Sequence, residues 1–262
     1  MTQQPIRFDD GAAYERGMGV WSRLAGEVFL DWLAPPAGLR WIDVGCGNGA
    51  FTEALVQRCA PAETQGIDPS EAQLAFARSR PGACGAEFLL GDAMALPFER
   101  DRFDAAVMAL VLFFVPEPVK GVAEMARVVR PGGMVAAYAW DMPGGGFPFD
   151  PIQAELRAAG IAPPLPPNAD VSRTSAMRDL WVDAGFEAVE TREITVRRGF
   201  TDFEEFWSTS MAMGSMRPAF AALPLGEAER IKQRVRGRLS EDSTGRVTHQ
   251  ARANAIKGRV PT

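Results

Sequence analysis

Residues 43–49 are Asp-Val-Gly-Cys-Gly-Asn-Gly, and this stretch decides the fold of the 262-residue chain. It directly follows a short apolar run, Leu39–Val44, and directly precedes Ala50–Cys59, where the apolar residues have helical spacing. Glycines let the chain turn tightly after a strand and let a ligand approach the backbone without meeting a Cβ atom. The helix that follows offers free N–H groups and the positive end of its dipole. The stretch predicts a ligand-binding loop between a strand and a helix, although the glycines alone would also fit an ordinary strand-to-helix turn.

Strand and helix patterns alternate on both sides of this loop. The predicted strands are Leu39–Val44, Thr64–Ile67, Ala86–Leu90, Phe103–Ala109 and Met134–Trp140, and the predicted helices between them are Ala50–Cys59, Glu71–Arg80 and Val119–Val129. Such alternation indicates right-handed βαβ units, and near-continuous apolar strands are typical of a sheet covered on both faces. The sequence therefore predicts an α/β fold with a doubly wound, mostly parallel sheet.

The flanking regions have a different texture. Residues 14–34 have a helical pattern that Pro35-Pro36 ends, and glycines 144–146 with the prolines of 163–167 break regular structure after Trp140. The remaining predicted elements are a helix at Thr174–Ala184, a strand at Ala188–Arg198, a largely helical stretch at Thr201–Leu239 and a strand at Val247–Lys257.

Two acidic residues follow the second and third predicted strands. Asp68 lies 19 residues beyond Gly49, where an acid can accept hydrogen bonds from both hydroxyls of a ribose. Asp92 can accept a hydrogen bond from an adenine amino group, with Met94 and Leu96 packed against the ring. Plainer roles also suit both acids, a helix cap for Asp68 and a loop acid for Asp92. Because strand ends of a parallel sheet share one edge, the three loops together predict one ligand site.

The motifs resemble those of class I S-adenosylmethionine-dependent methyltransferases, of the small-molecule type that includes ubiquinone-biosynthesis methyltransferases. The matching segments, in family order, are 43–49 (DVGCGNG), 66–70 (GIDPS), 91–98 (GDAMALPF), 103–115 (FDAAVMALVLFFV) and 128–133 (VVRPGG). The resemblance implies a Rossmann-like, seven-stranded sheet whose last strand is antiparallel. It also implies S-adenosyl-L-methionine as cofactor, S-adenosyl-L-homocysteine as product and a small-molecule methyl acceptor.

The resemblance also assigns cofactor contacts. The glycine loop would meet the methionine part, Asp68 the ribose, and Asp92 and Ala93 the adenine. The expected cofactor-binding residues are Asp43, Gly45, Cys46, Gly47, Asp68, Pro69, Ser70, Asp92, Ala93, Met94 and Leu110. In similar proteins a helix before the first strand closes over the methionine end, so residues 1–38 are expected to cover the cofactor. Tyr14 and Trp21 could stack or hydrogen-bond there and Arg23 could pair with the carboxylate, or all three could belong to a helix that packs on the sheet.

The acceptor pocket is expected above the strand ends, within the domain of residues 39–262 and under lid insertions at about 141–173 and 200–243. Its expected walls are Phe113, Phe114, Trp140, Asp141, Phe206 and Trp207. The aromatic residues of the second insertion would equally suit a small core of their own. Many relatives carry a Leu-His-His stretch where this chain has Leu112-Phe113-Phe114, so no imidazole base is expected there. Asp141 is a candidate base that also suits a helix or loop cap, and the sequence identifies no catalytic residue.

Composition excludes several classes of function. The net charge of −5 lacks the basic footprint of a nucleic-acid-binding protein, and the basic residues of 230–238 suit a solvated helix face. Three cysteines without C-x-x-C spacing and a start without a signal peptide indicate a cytoplasmic protein. The longest apolar run, Ala105–Val115, is about half of a membrane span, so no membrane insertion is expected.

Three other functions remain open at this point. A nicotinamide-dependent dehydrogenase would carry G-x-G-x-x-G, whereas the glycines here are at 45, 47 and 49. A protein that binds the cofactor without turnover is compatible with the missing histidines. A nucleic-acid or protein methyltransferase is disfavoured by the acidic charge. The sequence leaves open the acceptor, the atom that is methylated and the oligomeric state.

Overall fold

The sheet of this protein has seven strands. They are β1 (Arg40–Val44), β2 (Glu63–Asp68), β3 (Ala86–Leu90), β4 (Phe103–Ala109), β5 (Val129–Trp140), β6 (Glu187–Phe200) and β7 (Val247–Arg259). Their order is β3-β2-β1-β4-β5-β7-β6. Strands β1 to β5 pair in parallel, and β7 runs antiparallel to both β5 and β6. The computed structural model describes residues 15–212 and 216–262, and it confirms the predicted seven-stranded sheet with a reversed last strand.

Helices flank the sheet. They are α1 (Val20–Leu33), α2 (Ala50–Cys59), α3 (Glu71–Arg78), α4 (Pro118–Val128), α5 (Asp150–Ala158), α6 (Thr174–Asp183), α7 (Phe203–Met211), α8 (Arg217–Ala221) and α9 (Glu227–Arg238), and a π-helical turn at Glu15–Gly19 precedes α1. Helix α1 packs against α2, and α4 packs against α6. In the described ranges, no helix is both long and apolar enough to cross a membrane.

Aromatic rings join α1 and α2 to the middle of the sheet. The ring centre of Phe29 on α1 lies 4.6 Å from that of Tyr138 on β5, and Phe51 on α2 lies 5.9 Å from the same tyrosine. Phe29 and Tyr138 are at most 1% exposed. Large buried rings of this kind dominate core energetics, so this cluster fixes the helices beside the carboxyl edge of β4 and β5.

A charged cluster holds the opposite edge of the sheet together. One carboxylate oxygen of Asp104, on β4, accepts hydrogen bonds from the backbone N–H and the Nε of Arg40, at 2.9 and 3.1 Å. The other accepts a hydrogen bond of 2.7 Å from Arg130 Nε. The hydrogen bond from the Arg40 side chain is the largest cause that keeps the pKa of Asp104 well below its ordinary value. These ion pairs join β1, β4 and β5 at their amino-terminal ends, opposite the carboxyl edge.

Two elements differ from the prediction. The chain becomes extended at Val129, which pairs with Phe103, and the strand register shifts before Ala105 pairs with Met134. A Cβ at Gly133 would lie 2.8 Å from the Asp104 carbonyl oxygen, so the close approach of β4 needs a glycine inside the strand, which begins before the predicted start at Met134. Helix α5 was not predicted. Its signals, Pro151 in the first turn and the buried Ile152 and Leu156, lie among glycines and prolines that indicated irregular structure.

The basic side chains of α9 all have acidic partners. The pairs are Arg230–Glu227, Lys232–Glu204, Arg234–Glu155, Arg234–Glu227, Arg236–Glu241 and Arg238–Glu155. Glu155 of α5 accepts from two arginines and only 5% of its side chain is exposed, so it fastens α5 to α9. This pairing agrees with a solvated helix face.

Candidate functional site

A cavity of about 510 Å³ opens at the carboxyl ends of β1, β2 and β4. Its volume falls in the range of small-molecule sites, roughly 300–1,000 Å³. The lining consists of Ser22, Gly45, Cys46, Gly47, Asn48, Ala50, Phe51, Ile67, Asp68, Pro69, Ser70, Gln73, Gly91, Asp92, Ala93, Ala109, Leu110, Val111, Phe114, Val115, Pro116 and Tyr138. The loops after β1, β2, β3 and β4 therefore meet around one space.

The three glycines of the loop after β1 all have a positive φ, a conformation that favours glycine. Gly45 has a φ of +77°, and a Cβ there would lie 2.4 Å from Cγ1 of Val111. Gly47 also has a positive φ, +53°, but the position of its Cβ is open space, with nothing within 4 Å. The first glycine thus allows close packing with the loop after β4, and the second keeps backbone accessible beside the cavity.

Asp68 joins the end of β2 to this loop. Its Oδ2 accepts a hydrogen bond of 2.9 Å from the backbone N–H of Gly47, and its Oδ1 accepts one of 2.9 Å from Ser70. Burial raises the pKa of Asp68, while these two backbone hydrogen bonds favour the charged form. Since each carboxylate oxygen can accept more than one hydrogen bond, Asp68 retains capacity for a ligand that carries hydroxyl groups.

Asp43, at the end of β1, is wholly buried beside the loop. Its Oδ2 accepts a hydrogen bond of 2.6 Å from Thr52 Oγ1, and its Oδ1 has no partner among the described residues. Burial raises the pKa of Asp43 to about 7, a hydrogen bond from Thr52 opposes this, and the charge of Asp68 adds to it. Asp43 does not line the cavity, and its side-chain contact is with α2 through Thr52.

The loop after β3 is fastened to the same site. The N–H of Gly91 donates to the Asp68 carbonyl oxygen at 3.1 Å, and Oδ1 of Asp92 accepts from the N–H of Met94 at 2.9 Å. Asp92 and Ala93 line the cavity, whereas Met94 is half-buried against the core and outside the lining. The acid is thereby held at the mouth of the site.

The remaining wall is apolar and comes from the loop after β4. Leu110 has a φ of +62°, uncommon for a residue with a side chain, and its N–H donates to the Tyr138 carbonyl oxygen at 2.8 Å. This conformation turns the chain after Leu110. Val111, Phe114, Val115 and Pro116 follow in the lining.

Comparisons with known proteins agree with this geometry. A family model described as a methyltransferase domain matches residues 42–137. The malonyl-acyl-carrier-protein O-methyltransferase of Methylococcus capsulatus is 32% identical over 213 residues, which are 80% of this chain and 72% of that protein. The chain belongs to the S-adenosylmethionine-dependent methyltransferases.

Two further similarities extend this result. The ubiquinone/menaquinone biosynthesis C-methyltransferase of Dinoroseobacter shibae is 32% identical over 184 residues, which cover 62% of this methyltransferase and 72% of the relative. A phosphoethanolamine N-methyltransferase of Haemonchus contortus, solved with S-adenosyl-L-methionine, has a TM-score of 0.58 at 18% identity, over 97% of this chain and 58% of that chain. At this identity the second similarity supports the fold alone. The family membership confirms S-adenosyl-L-methionine as cofactor. It argues against the dehydrogenase and non-catalytic alternatives.

The residues of the cavity fit this cofactor. Two carboxylates, Asp68 and Asp92, line the cavity and can accept hydrogen bonds from hydroxyl and amino groups. The backbone at Gly47 is accessible, whereas Asp43, expected among the cofactor contacts, is fully buried and outside the lining. The predicted cofactor residues in the lining are Gly45, Cys46, Gly47, Asp68, Pro69, Ser70, Asp92, Ala93 and Leu110. Their individual contacts with the cofactor stay predictions. Burial raises the pKa of the Cys46 thiol well above its ordinary value, which keeps it uncharged.

Two of the three expected N-terminal contacts, Trp21 and Arg23, lie outside the cavity lining. Trp21 is fully buried, with its ring centre 5.9 Å from His249 and 6.4 Å from Phe200, and it does not line the cavity. Arg23 is exposed and also outside the lining. Tyr14 lies outside the described residues. Helix α1 instead contributes Ser22, because the apolar face that carries Trp21 turns into the core.

Most of the expected acceptor wall also lies elsewhere. Phe114 lines the cavity, and Phe113 is buried against it, with 4.8 Å between the ring centres. Trp140 is buried, and the Asp141 carboxylate accepts from Arg252 Nη2 at 2.6 Å and from the N–H of Gly144 at 3.0 Å, as in a loop cap. A carboxylate held by an arginine outside the cavity is poorly placed to act as the base.

The aromatic residues of the second insertion pack with one another. Phe206 lies 5.3 Å from Phe200 and 5.5 Å from His249, and Trp207 lies 5.6 Å from Phe220, all between ring centres. Neither Phe206 nor Trp207 lines the cavity. These residues form the small core that the sequence offered as the alternative, because burial of their rings over the ends of β6 and β7 removes more apolar surface from water than exposure in a pocket would.

Sequence reasoning missed several lining residues. The unassigned ones include Ser22, Asn48, Phe51, Val111 and Tyr138. Tyr138 had a detectable signal, since it is one of two tyrosines in the chain and stands in an otherwise apolar strand. Val111 had none, because its role depends on its contact with Gly45.

Proposed function

We propose that this methyltransferase acts on a small, neutral, apolar acceptor, bound against Val111, Phe114, Val115 and Pro116. The observation that supports this is the charge of the cavity. Among the described lining residues the charged ones are Asp68 and Asp92, and there is no lysine, arginine or histidine. An anionic acceptor would meet no cationic side chain in this lining and would be repelled by the two carboxylates, which leaves the sulfonium of the cofactor as its counter-charge.

The names of the two relatives indicate different methyl acceptors. One is named for a malonyl group on an acyl-carrier protein and the other for quinone biosynthesis. The apolar wall and the absence of cationic lining in the described chain favour an acceptor of the second kind, an uncharged ring or chain. The net charge of −5 also disfavours an acidic carrier protein as partner.

In this proposal the cavity residues orient the reactants. Asp68 accepts hydrogen bonds from the ribose, Asp92 from the adenine amino group, and the backbone of the glycine loop faces the methionine part. The bound cofactor supplies a methyl group that its sulfonium already activates. The wall after β4 holds the acceptor in line with that methyl group and excludes water, and such positioning contributes about 7–11 kcal/mol in well-oriented reactions. Phe114, where many relatives carry histidine, offers no base, so the proposal favours a nucleophile that needs none from that position.

The proposal also includes the cytoplasm as the compartment. All three cysteines are free, and two of them, Cys46 and Cys59, are buried. Proteins of oxidising compartments commonly pair their cysteines, so free thiols support a reducing environment.

A competition between acceptor classes tests the proposed substrate. The protein is incubated with S-adenosyl-L-methionine and either an alkylated hydroquinone or a malonyl thioester, and mass spectrometry measures the methylated product. We expect product from the hydroquinone alone. Methyl-ester formation on the malonyl thioester without product from apolar acceptors would overturn the proposal. Asp68→Ala is the control with weakened cofactor binding, and it should lower the yield of either product.

A further inference from the structure

Arg80 lies just beyond the end of α3 and its guanidinium reaches back to the glycine loop. Its Nε donates to the backbone carbonyl of Asn48 at 2.6 Å, its Nη1 to Glu53 Oε2 at 2.9 Å, and its Nη2 to Glu15 Oε2 at 2.5 Å. Its charged carbon lies 5.2 Å from the ring centre of Phe76. All three guanidinium nitrogens are engaged and 12% of the side chain is exposed. A planar fork used in this way fixes the geometry of its partners.

Glu15 receives a second hydrogen bond, and this one comes from the glycine loop itself. The amide Nδ2 of Asn48 donates to Glu15 Oε2 at 3.2 Å, and Asn48 lines the cofactor cavity while being 4% exposed. The π-helical turn before α1 is therefore bound directly to the cavity wall. We call Arg80, Glu15, Asn48 and Glu53 the Arg80 clamp.

Gly19 leaves room for the Glu15 carboxylate beside the turn. A Cβ at Gly19 would lie 2.8 Å from Cδ and 2.9 Å from Oε2 of Glu15. The carboxylate thus folds back over the turn into space that only glycine leaves open. On the other side of the turn, Nη1 of Arg198 donates to the Gly17 carbonyl oxygen at 3.1 Å, so the turn is held from both sides.

We infer that Arg80 and Glu15 are positioning residues for the cofactor. The clamp holds the loop that carries Gly47 and Asn48 in its cofactor-binding conformation and joins it to the turn before α1. Cofactor binding and the docking of that turn are consequently coupled, because the same hydrogen bonds serve both. This inference rests on the cofactor, and it is independent of the proposed acceptor.

Calorimetric titration with S-adenosyl-L-homocysteine tests the clamp in Glu15→Gln and Arg80→Lys. We expect each variant to bind about tenfold more weakly, the size of effect that loss of a charge-assisted hydrogen bond produces. Asp31→Asn is the matched control, since the Asp31–Arg58 ion pair also joins the N-terminal region to α2 but lies away from the cavity. The control should bind within about twofold of the wild type, and the ligand-free thermal midpoints of Glu15→Gln and Asp31→Asn should be similar.

The double variant Glu15→Gln/Arg80→Lys separates positioning from general weakening. Residues in one network are not additive, so the combined loss should be smaller than the product of the two single losses. A combined loss equal to that product would overturn the inference. So would wild-type affinity in Glu15→Gln, or an equal loss in Asp31→Asn. If Glu15→Gln does not fold, Arg80→Lys against the same control decides. Absence of binding in the wild type would contradict the cofactor itself, whereas wild-type binding with unchanged variants would contradict the clamp alone.

Discussion

The carboxylate of Asp68 accepts a hydrogen bond of 2.9 Å from the backbone N–H of Gly47, which ties the acid after β2 to the glycine loop after β1. The same carboxylate is the predicted acceptor for the ribose hydroxyls. The glycine loop thus positions the Asp68 carboxylate, and both are predicted to contact the same cofactor.

Asp68→Ala should therefore lose both the loop contact and the ligand contact. We expect the dissociation constant of S-adenosyl-L-homocysteine, measured by calorimetry, to rise at least about tenfold, equivalent to about 1.4 kcal/mol. Asp183→Ala removes an exposed acid at the end of α6 and should leave the affinity unchanged. Equal affinity of Asp68→Ala and wild type would remove Asp68 from the binding site.

Gly45→Ala should destabilise the fold more than Gly38→Ala does. Gly38 has nearly the same φ, +79°, with nothing within 4 Å of a Cβ, whereas a Cβ at Gly45 meets Val111 at 2.4 Å. Gly38→Ala therefore measures the cost of a side chain at positive φ, about 1–2 kcal/mol of unfolding free energy. The additional loss in Gly45→Ala measures the clash with Val111. Urea unfolding checks this. The second substitution Val111→Ala should recover part of the additional loss, and no recovery would contradict the assigned contact.

Asp104→Asn should destabilise the protein near neutral pH and have a smaller effect in acid. The pKa of Asp104 is depressed in the folded state, first by its hydrogen bond with Arg40, so its contribution to stability is present above the unfolded pKa of about 3.9 and is lost as pH falls towards the folded pKa. The difference in thermal midpoint between wild type and variant should thus be constant from pH 7 to 5 and shrink below pH 4. A difference that persists at low pH would contradict an electrostatic origin. Affinity for S-adenosyl-L-homocysteine should not change, since Asp104 lies at the opposite edge of the sheet.

His249→Phe should reduce the loss of stability on mild acidification. Burial lowers the pKa of His249, although a hydrogen bond with the Pro148 backbone and the charge of Asp150 oppose this. The unfolded state therefore binds a proton near pH 6.5 before the folded state does, and stability falls as pH drops from about 6.5 towards the folded pKa. Phenylalanine suits the site, where the imidazole lies between Trp21 and Phe206. Thermal midpoints between pH 7.5 and 5 measure the slope, and an identical slope in the variant would show that other groups cause it.

The predictable parts of this protein are those in which the signal is local in sequence. The loop of residues 43–49 and Asp68 were found because the glycines and the acid each stand at the end of a recognisable strand. Trp21 and Phe206 were expected at the cavity and lie in the core, because helical spacing shows that a side chain faces inward without showing which neighbour it meets. The Val111 contact with Gly45 and the Arg80 clamp join residues that are 66 and 65 positions apart, respectively, and no single segment encodes such pairs.

The reversed strand β7 has a consequence for how the protein is made. It lies between β5 and β6, and in the described chain β6 pairs with β7 alone. Both neighbours leave the ribosome before it, and residues 201–246 must follow before β7 is synthesised. During that interval β5 and β6 present open edges, which are prone to pairing with other chains. Nascent chains paused between residues 200 and 247 should therefore be the forms most in need of chaperones.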